Sequence, residues 1–421
     1  MALTIRHRRA YRLGVVVGLA AVLTGIVPAA PVEAASDRLP DLRSARIRDI
    51  RIVSSGGRRL LRFTSMMWNK GAGPFEVRSN RKNTSSRWNV HQIVYNDAGG
   101  FRRIATNAKL RFAGDGHNHW HVRDMMSDHL WGSGGTLRDA KIGFCFFDTN
   151  LIYGDLPRSP SRRVYTESKC GGRSTLYTRT GISVGWGDRY PWNFAYQWID
   201  ISGMGSGTYT LRSAVDLHGH FDEKSETNNC SWAKIRFKAS GTSVSVLETG
   251  YGCINDYSST PYAAAVVWAR ANGISNGCDV DLYCTYNPVN RGALAALLAR
   301  AMDLPSTSKD FFDDDDGTTH ESSINRLAAA GLAIGCGTRR FCPGRIATRA
   351  TGAAFMARAL DLEPVEEDYF TDDENSPDEA AINMIAAAGI ATACAANRYC
   401  PTSDLSRGVF TLYLYRAFAT D

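Results

Sequence analysis

Past its first 27 residues, this chain of 421 has no apolar run close to the roughly 20 residues a helix needs to cross a bilayer, which excludes a later membrane span. It carries no helix-turn-helix, zinc-finger or RNA-stacking signature. Nucleic acid is therefore not an expected partner, despite a formal net charge of +7. No HExxH-like glutamate accompanies its histidines, which argues against a zinc hydrolase. No cysteine is left over either: ten is an even number and reads as disulfides in an oxidising compartment. Histidine is scarce, nine in all, yet four of the nine fall between His117 and His129.

The amino terminus reads as a secretory leader. Arg6, Arg8, Arg9 and Arg12 form a basic start, Leu13 to Val27 is apolar, and Val32-Glu33-Ala34 offers small residues for cleavage after Ala34. The expected mature protein is secreted, extracellular and without a membrane span. Its length predicts more than one domain, and charge divides it the same way. Residues 35–250 carry about thirteen net positive charges and 251–421 about nine net negative ones. A basic front half would draw acidic partners such as anionic wall polymers or acidic protein substrates.

Six cysteines sort themselves into Cys278/Cys284, Cys336/Cys342 and Cys394/Cys400, each with C-x5-C spacing. No histidine stands beside these pairs, so small disulfide loops are expected rather than zinc. Cys145, Cys170, Cys230 and Cys253 allow three connectivities; sequence proximity favours 145–170 and 230–253. The six are one mark of a 58-residue period that also relates Gly273, Gly331 and Gly389, and Arg291, Arg349 and Arg407. One unit opens on Phe311-Phe312-Asp313-Asp314 and forms a helix over Ile324 to Ala330. It then turns at Gly331, closes the disulfide loop and starts a second helix after Thr348 that ends at Leu360. Asn290, Thr348 and Ser406 are good N-cap types. Such units cannot bury an apolar face alone, so three must pack together, over about 249–305, 306–363 and 364–421.

This back half resembles the S-layer-homology domain, a three-repeat module that attaches bacterial proteins to wall-linked polysaccharide. The resemblance implies that Arg291, Arg349 and Arg407 contact cell-wall polysaccharide, where a guanidinium suits bidentate capture of carboxylates. Their alternative role is to cap helices or pair with the acidic run. The acidic residue common two places after the arginine is absent, with Ala293, Thr351 and Val409 there instead, and Ile254 replaces the opening aromatic of the first copy.

Residues 38 to 240 lack long helical periodicity. Arg51–Val53, Leu60–Phe63, Gln92–Tyr95, Gln197–Ile201 and Tyr209–Val215 read as strands, so a β-sandwich with extended loops is expected. The expected fold class is thus α+β multidomain: a signal peptide (1–34), a β-sandwich-like catalytic domain (35–248) and an all-α three-repeat domain (249–421). Within the β part, His117-Asn118-His119-Trp120-His121 alternates three imidazoles. Residues two apart on an extended strand leave the same face, and Gly114 and Gly116 let the chain curl so that all three reach one ion. Three imidazoles with an open position suit Cu(II) or Zn(II).

This domain resembles the catalytic domain of lysyl oxidase, a copper- and quinone-dependent amine oxidase. The resemblance rests on Leu60-Leu61-Arg62-Phe63, Asn69-Lys70-Gly71, the His117/His119/His121 copper motif and Lys141-Ile142-Gly143-Phe144-Cys145. It extends through Asp188-Arg189-Tyr190, Gln197-Trp198-Ile199-Asp200-Ile201 and Thr227-Asn228-Asn229. It implies copper on the three histidines and a lysine tyrosylquinone made by joining Lys141 to Tyr190. The implied reaction turns a primary amine or peptidyl lysine into an aldehyde, with release of ammonia and hydrogen peroxide. Asp188 is the candidate base, with Asp128 and His129 as rivals. The resemblance also implies calcium held by Asp41, Leu42, Glu223, Asn228 and Asn229, although Ser225 stands where the family has an aspartate; a bare turn held by the asparagines is the alternative. The competing function is a catalytically inactive β-sandwich adhesion or scaffold protein. It leaves the joint retention of the histidines, Lys141 and Tyr190 unexplained.

Overall fold

The computed structural model describes residues 35–419 apart from 114–117, 133–134, 140, 142, 239–240 and 280. The expected leader over 1–34 and His117 lie outside the described residues.

The front half is built from antiparallel strands. Its spine is the twelve-residue strand Arg58–Asn69, entered from Arg48–Ser55 through Gly56 and Gly57. Both glycines have positive φ, 55° and 73°, the backbone that a two-residue hairpin turn requires. Strands Leu42–Ser44, Trp186–Tyr190 and Trp198–Asp200 also pair with this spine. Leu61 and Phe63 on the spine meet Leu130, Leu211, Ile235 and Phe237 of a second sheet (Met126–Gly132, Gly207–Val215, Cys230–Phe237, Val244–Tyr251), so two sheets share one apolar layer. Met67, Phe75, Phe144, Phe146, Ile182 and Tyr190 form a neighbouring core on the other flank. Each such side chain contributes about 1.5–3 kcal/mol on burial, which fixes the strands that carry the site. The last strand runs to Tyr251, three residues past the expected boundary at 248.

Among the described residues the back half has six helices: α1 (Ala263–Ala271), α2 (Arg291–Ala301), α3 (Glu321–Ala329), α4 (Arg349–Ala359), α5 (Glu379–Ala387) and α6 (Arg407–Phe418). Asn290, Thr348 and Ser406 cap α2, α4 and α6, their side chains accepting from the backbone N–H of Ala293, Thr351 and Val409. Helix α2 packs on α3, α4 on α5, and α6 returns to α1, closing a ring around one shared apolar core. All five disulfides pair as sequence proximity and spacing predict. Among the described residues no helix is long and apolar enough to cross a membrane.

The first disulfide loop of the ring docks on the second sheet. Asp279 reaches His129 Nε2 at 3.2 Å and His218 Nε2 at 3.6 Å, and Asp281 lies 3.7 Å from the fully buried Arg212. Beside them, the Asn287 amide accepts from the Thr136 backbone N–H and donates to its carbonyl.

Candidate active site

Strand Trp186–Tyr190 alternates Asp188 and Tyr190 inward and Arg189 outward. The Tyr190 hydroxyl donates to the Asp188 carboxylate, and the Cys145 carbonyl lies 3.1 Å from the same oxygen. Burial pushes the Asp188 carboxyl up to about 7, against the pull of the Tyr190 hydrogen bond and the Lys141 charge. Burial, and then the charge of Asp188, raise the Tyr190 phenol well above its ordinary value.

Lys141 enters from the segment before strand Gly143–Phe144. Its Nζ stands 3.5 Å from the centroid of the Tyr190 ring and 4.2 Å from that of Phe144. That approach depends on Gly143: a Cβ there would meet the Val122 carbonyl oxygen at 2.7 Å and the His121 Cβ at 3.1 Å. Strand Gly143–Phe144 pairs with Trp120–Arg123, which carries His121, so the lysine and the histidines come from neighbouring segments. His119 Nε2 and His121 Nε2 face each other at 3.0 Å, and Glu167 reaches His119 Nδ1 at 3.5 Å. The 145–170 disulfide ties the short turn Glu167–Cys170 to this strand end. One cavity of about 470 Å³ is lined by His119, His121, Lys141, Glu167, Asp188 and Tyr190. Two converging imidazole Nε2 atoms, with Glu167 meeting the Nδ1 side of His119, fit a borderline cation such as Cu(II). His117 lies outside the described residues.

The sequence model of the lysyl oxidase family matches residues 41–248. The chain carries a lysyl oxidase family domain. Lysyl oxidase homolog 4 of Homo sapiens is 26% identical over 185 residues, 43% of this chain and 19% of that protein. Lysyl oxidase homolog 2 of Gallus gallus is 24% identical over 225 residues, 53% of this chain and 24% of its own length. Lysyl oxidase homolog 3B of Danio rerio is 28% identical over 185 residues, 43% of this chain and 18% of that protein. The matched stretch thus spans about a fifth to a quarter of these relatives.

Within the lysyl oxidase domain the two rival bases part company. Asp128 and His129 are consecutive on strand Met126–Gly132 and leave opposite faces. Asp128 is fully buried and within the field of Lys141. Burial raises its carboxyl to about 6 against Ser213, Lys141 and Gln197. His129 turns toward Asp279 and does not line the cavity. Glu167 was missed by sequence reasoning, because only the disulfide brings it to the histidines. Arg163 and Arg189 also border the cavity without a signal in the sequence.

The residues expected to hold calcium lie in one neighbourhood. Glu223 accepts from the Leu42 backbone N–H at 2.6 Å and from Asn229 Nδ2 at 3.0 Å, and Asn228 Nδ2 donates to Asp41 at 2.8 Å. Asn228 Oδ1 and Asn229 Oδ1 are buried and accept no hydrogen bond from a described residue. Asp41, however, is paired with Arg43 at 2.7 Å.

The three repeat arginines close the ring. Arg291 donates to the backbone carbonyls of Phe341 and Ile334, Arg349 to those of Tyr399 and Thr392, and Arg407 to that of Tyr283, each in the next unit's loop region. Arg291 and Arg349 also stack on Phe341 and Tyr399, 4.8 and 4.6 Å from the ring centroids. Asp256, Asp314 and Asp372, again 58 apart, bind the same loops from within each unit through backbone N–H groups.

Proposed function

We propose that this protein is a secreted copper-dependent amine oxidase that converts primary amines or peptidyl lysine to aldehydes. The reaction consumes dioxygen and water and releases ammonia and hydrogen peroxide. The observation that carries this reading is the meeting of Lys141, Tyr190, Asp188 and the His119/His121 pair in one cavity. Copper on the histidines and a quinone made from Tyr190 and Lys141 would supply the redox chemistry. The chain's own residues do the rest. Asp188, near neutrality in its buried setting, takes the proton from the substrate carbon next to the amine. Phe144, edge-on to Tyr190 with ring centroids 4.6 Å apart, holds that ring in orientation. The test is peroxide release by copper-loaded protein with a panel of amines and lysine peptides; silence toward all of them removes the reading.

The helical ring is proposed to hold the enzyme at the cell wall through anionic polysaccharide. A groove of about 390 Å³ bordered by Arg345, Thr348 and Asn375 supports this, as does the repeat pattern itself. Full-length protein should co-sediment with purified wall fragments and be released by soluble wall polymer.

A further inference from the structure

We propose that a second groove, beside the amine cavity, selects peptides whose lysine is flanked by acidic residues; this rests on the amine oxidase reading. The groove, about 520 Å³, is bordered by Arg46, Arg48 and Arg189 and by the rings of Trp68, Tyr153 and Tyr251. Among the described residues no aspartate or glutamate lines it. Asn150 and Arg189 border both this groove and the cavity that holds Lys141 and Tyr190, so the two spaces are neighbours. An extended peptide advances roughly 3.3 Å per residue, so a chain whose lysine enters the cavity can lay its next few residues along the groove.

Charge separates the two spaces. Asp188 and Glu167 line the amine cavity, where they suit the ammonium of an entering lysine. The groove offers the opposite sign. Arg46, Arg48 and Arg189 are exposed, and Arg46 and Arg48 form no ion pair among the described residues. Arg189 reaches Asp49 at 3.9 Å, but that carboxylate is shared with Arg51 at 4.0 Å and accepts from the Thr64 hydroxyl at 2.7 Å. Four guanidinium groups thus meet one carboxylate, which leaves forks free to take carboxylates from a ligand. Trp68 stacks on Tyr153 with centroids 4.7 Å apart, a firm aromatic wall for peptide backbone. The Trp68 indole N–H is buried and donates to no described residue, a donor short of an acceptor at the same wall. Continuity with the amine cavity favours an acidic peptide over an anionic polysaccharide, because the peptide carries the carboxylates and the primary amine in one chain.

The test uses full-length protein and peptides with one lysine flanked by glutamates, glutamines or arginines. With copper loaded, peroxide release should favour the glutamate peptide over the arginine peptide by about tenfold in kcat/KM, carried by KM, and 0.5 M salt should close most of the gap. Fluorescence anisotropy with norleucine in place of the lysine reads the same preference without turnover. The double variant Arg46→Glu/Arg48→Glu should invert the preference, an outcome that a merely structural role would not produce. Arg46→Gln and Arg48→Gln, milder at exposed positions, should each weaken the glutamate peptide about two- to threefold. Equal binding of all three peptides by the unaltered protein, or an acidic preference that survives these substitutions, would overturn the proposal. Loss of co-sedimentation with wall fragments in the double variant, with its peptide preference unchanged, would assign the groove to polysaccharide and overturn it too. Butylamine separates the two failures. Peroxide from butylamine without any peptide preference overturns this inference alone. Silence toward butylamine and every peptide removes the oxidase reading, and anisotropy still decides whether the groove takes an acidic peptide.

Discussion

Lys141 Nζ sits 3.5 Å from the centroid of the Tyr190 ring, while the Tyr190 hydroxyl is held by Asp188 on the same strand face. The two residues are 49 positions apart in sequence, so contact between them is a product of the fold. Strand pairing of Gly143–Phe144 with the histidine strand brings the lysine in, and pairing of Trp186–Tyr190 with the spine fixes the tyrosine. Joining a lysine nitrogen to this ring requires side-chain adjustment rather than movement of either strand.

Lys141→Arg keeps charge and bulk but cannot lose its proton. It should abolish a phenylhydrazine-reactive chromophore and amine-dependent peroxide release, with copper content unchanged by metal analysis. Tyr190→Phe should do the same by removing the oxidisable phenol. Peptide mapping of the copper-matured protein should find one cross-linked peptide carrying both residues.

Asp188 sets the pH dependence. Its carboxyl is raised to about 7, so the ionised fraction, the form that accepts a proton, grows as pH rises through neutrality. Turnover should climb between about pH 6 and 8, and Asp188→Asn should lower kcat by about 10²–10⁴-fold and flatten that limb. Steady-state peroxide assays across this range check both.

The order of strands and repeats was legible because each is local. Leu60–Phe63 and Tyr209–Val215 read as strands, and the 58-residue period announced three helical units with their Asn290, Thr348 and Ser406 caps; Trp186–Tyr190, Gly-rich and turn-like in sequence, is the strand that puts Asp188 and Tyr190 on one face. Glu167 and Asp279 were not legible. Glu167 reaches His119 only through the 145–170 disulfide, and Asp279 meets His129 only because a repeat loop docks on the second sheet. A periodic arginine reads alike whether it faces a polymer or a neighbouring backbone. Only the carbonyls of Phe341, Tyr399 and Tyr283 reveal what these three guanidinium groups hold.

Those carbonyls make a stability prediction. Arg349→Ala would leave the Tyr399 and Thr392 carbonyls short of a donor in a buried setting, at a cost of about 1–3 kcal/mol. Arg349→Lys should restore little, since one ammonium cannot span both carbonyls as the planar fork does. Urea unfolding followed by circular dichroism of the helices measures the loss.

Glu223 couples stability to pH. Its folded value of about 9 exceeds the unfolded value of about 4.3, so folding favours the protonated form. That contribution is fully present below the unfolded value and is lost as pH rises toward 9. The protein should therefore melt at lower temperature as pH is raised across this window, which differential scanning calorimetry measures.

Asp279 joins the two halves of the chain. Asp279→Ala would leave the buried His129 without its acceptor and remove the partner of His218, weakening the docked arrangement by about 1–3 kcal/mol. Burial lowers the His129 pKa in spite of Asp279, with Arg212 and Arg138 adding to that direction, so the docked state favours the neutral imidazole. The contribution of His129 to docking is then present above its unfolded value of about 6.5 and is lost as pH falls through the lower folded value. Small-angle scattering of full-length Asp279→Ala should show a larger radius of gyration than the unaltered protein at pH 7.5, and the unaltered protein should itself expand on acidification. Identical scattering curves for both proteins at both pH values would show that contacts such as Thr136 with Asn287 hold the halves together without this histidine pair.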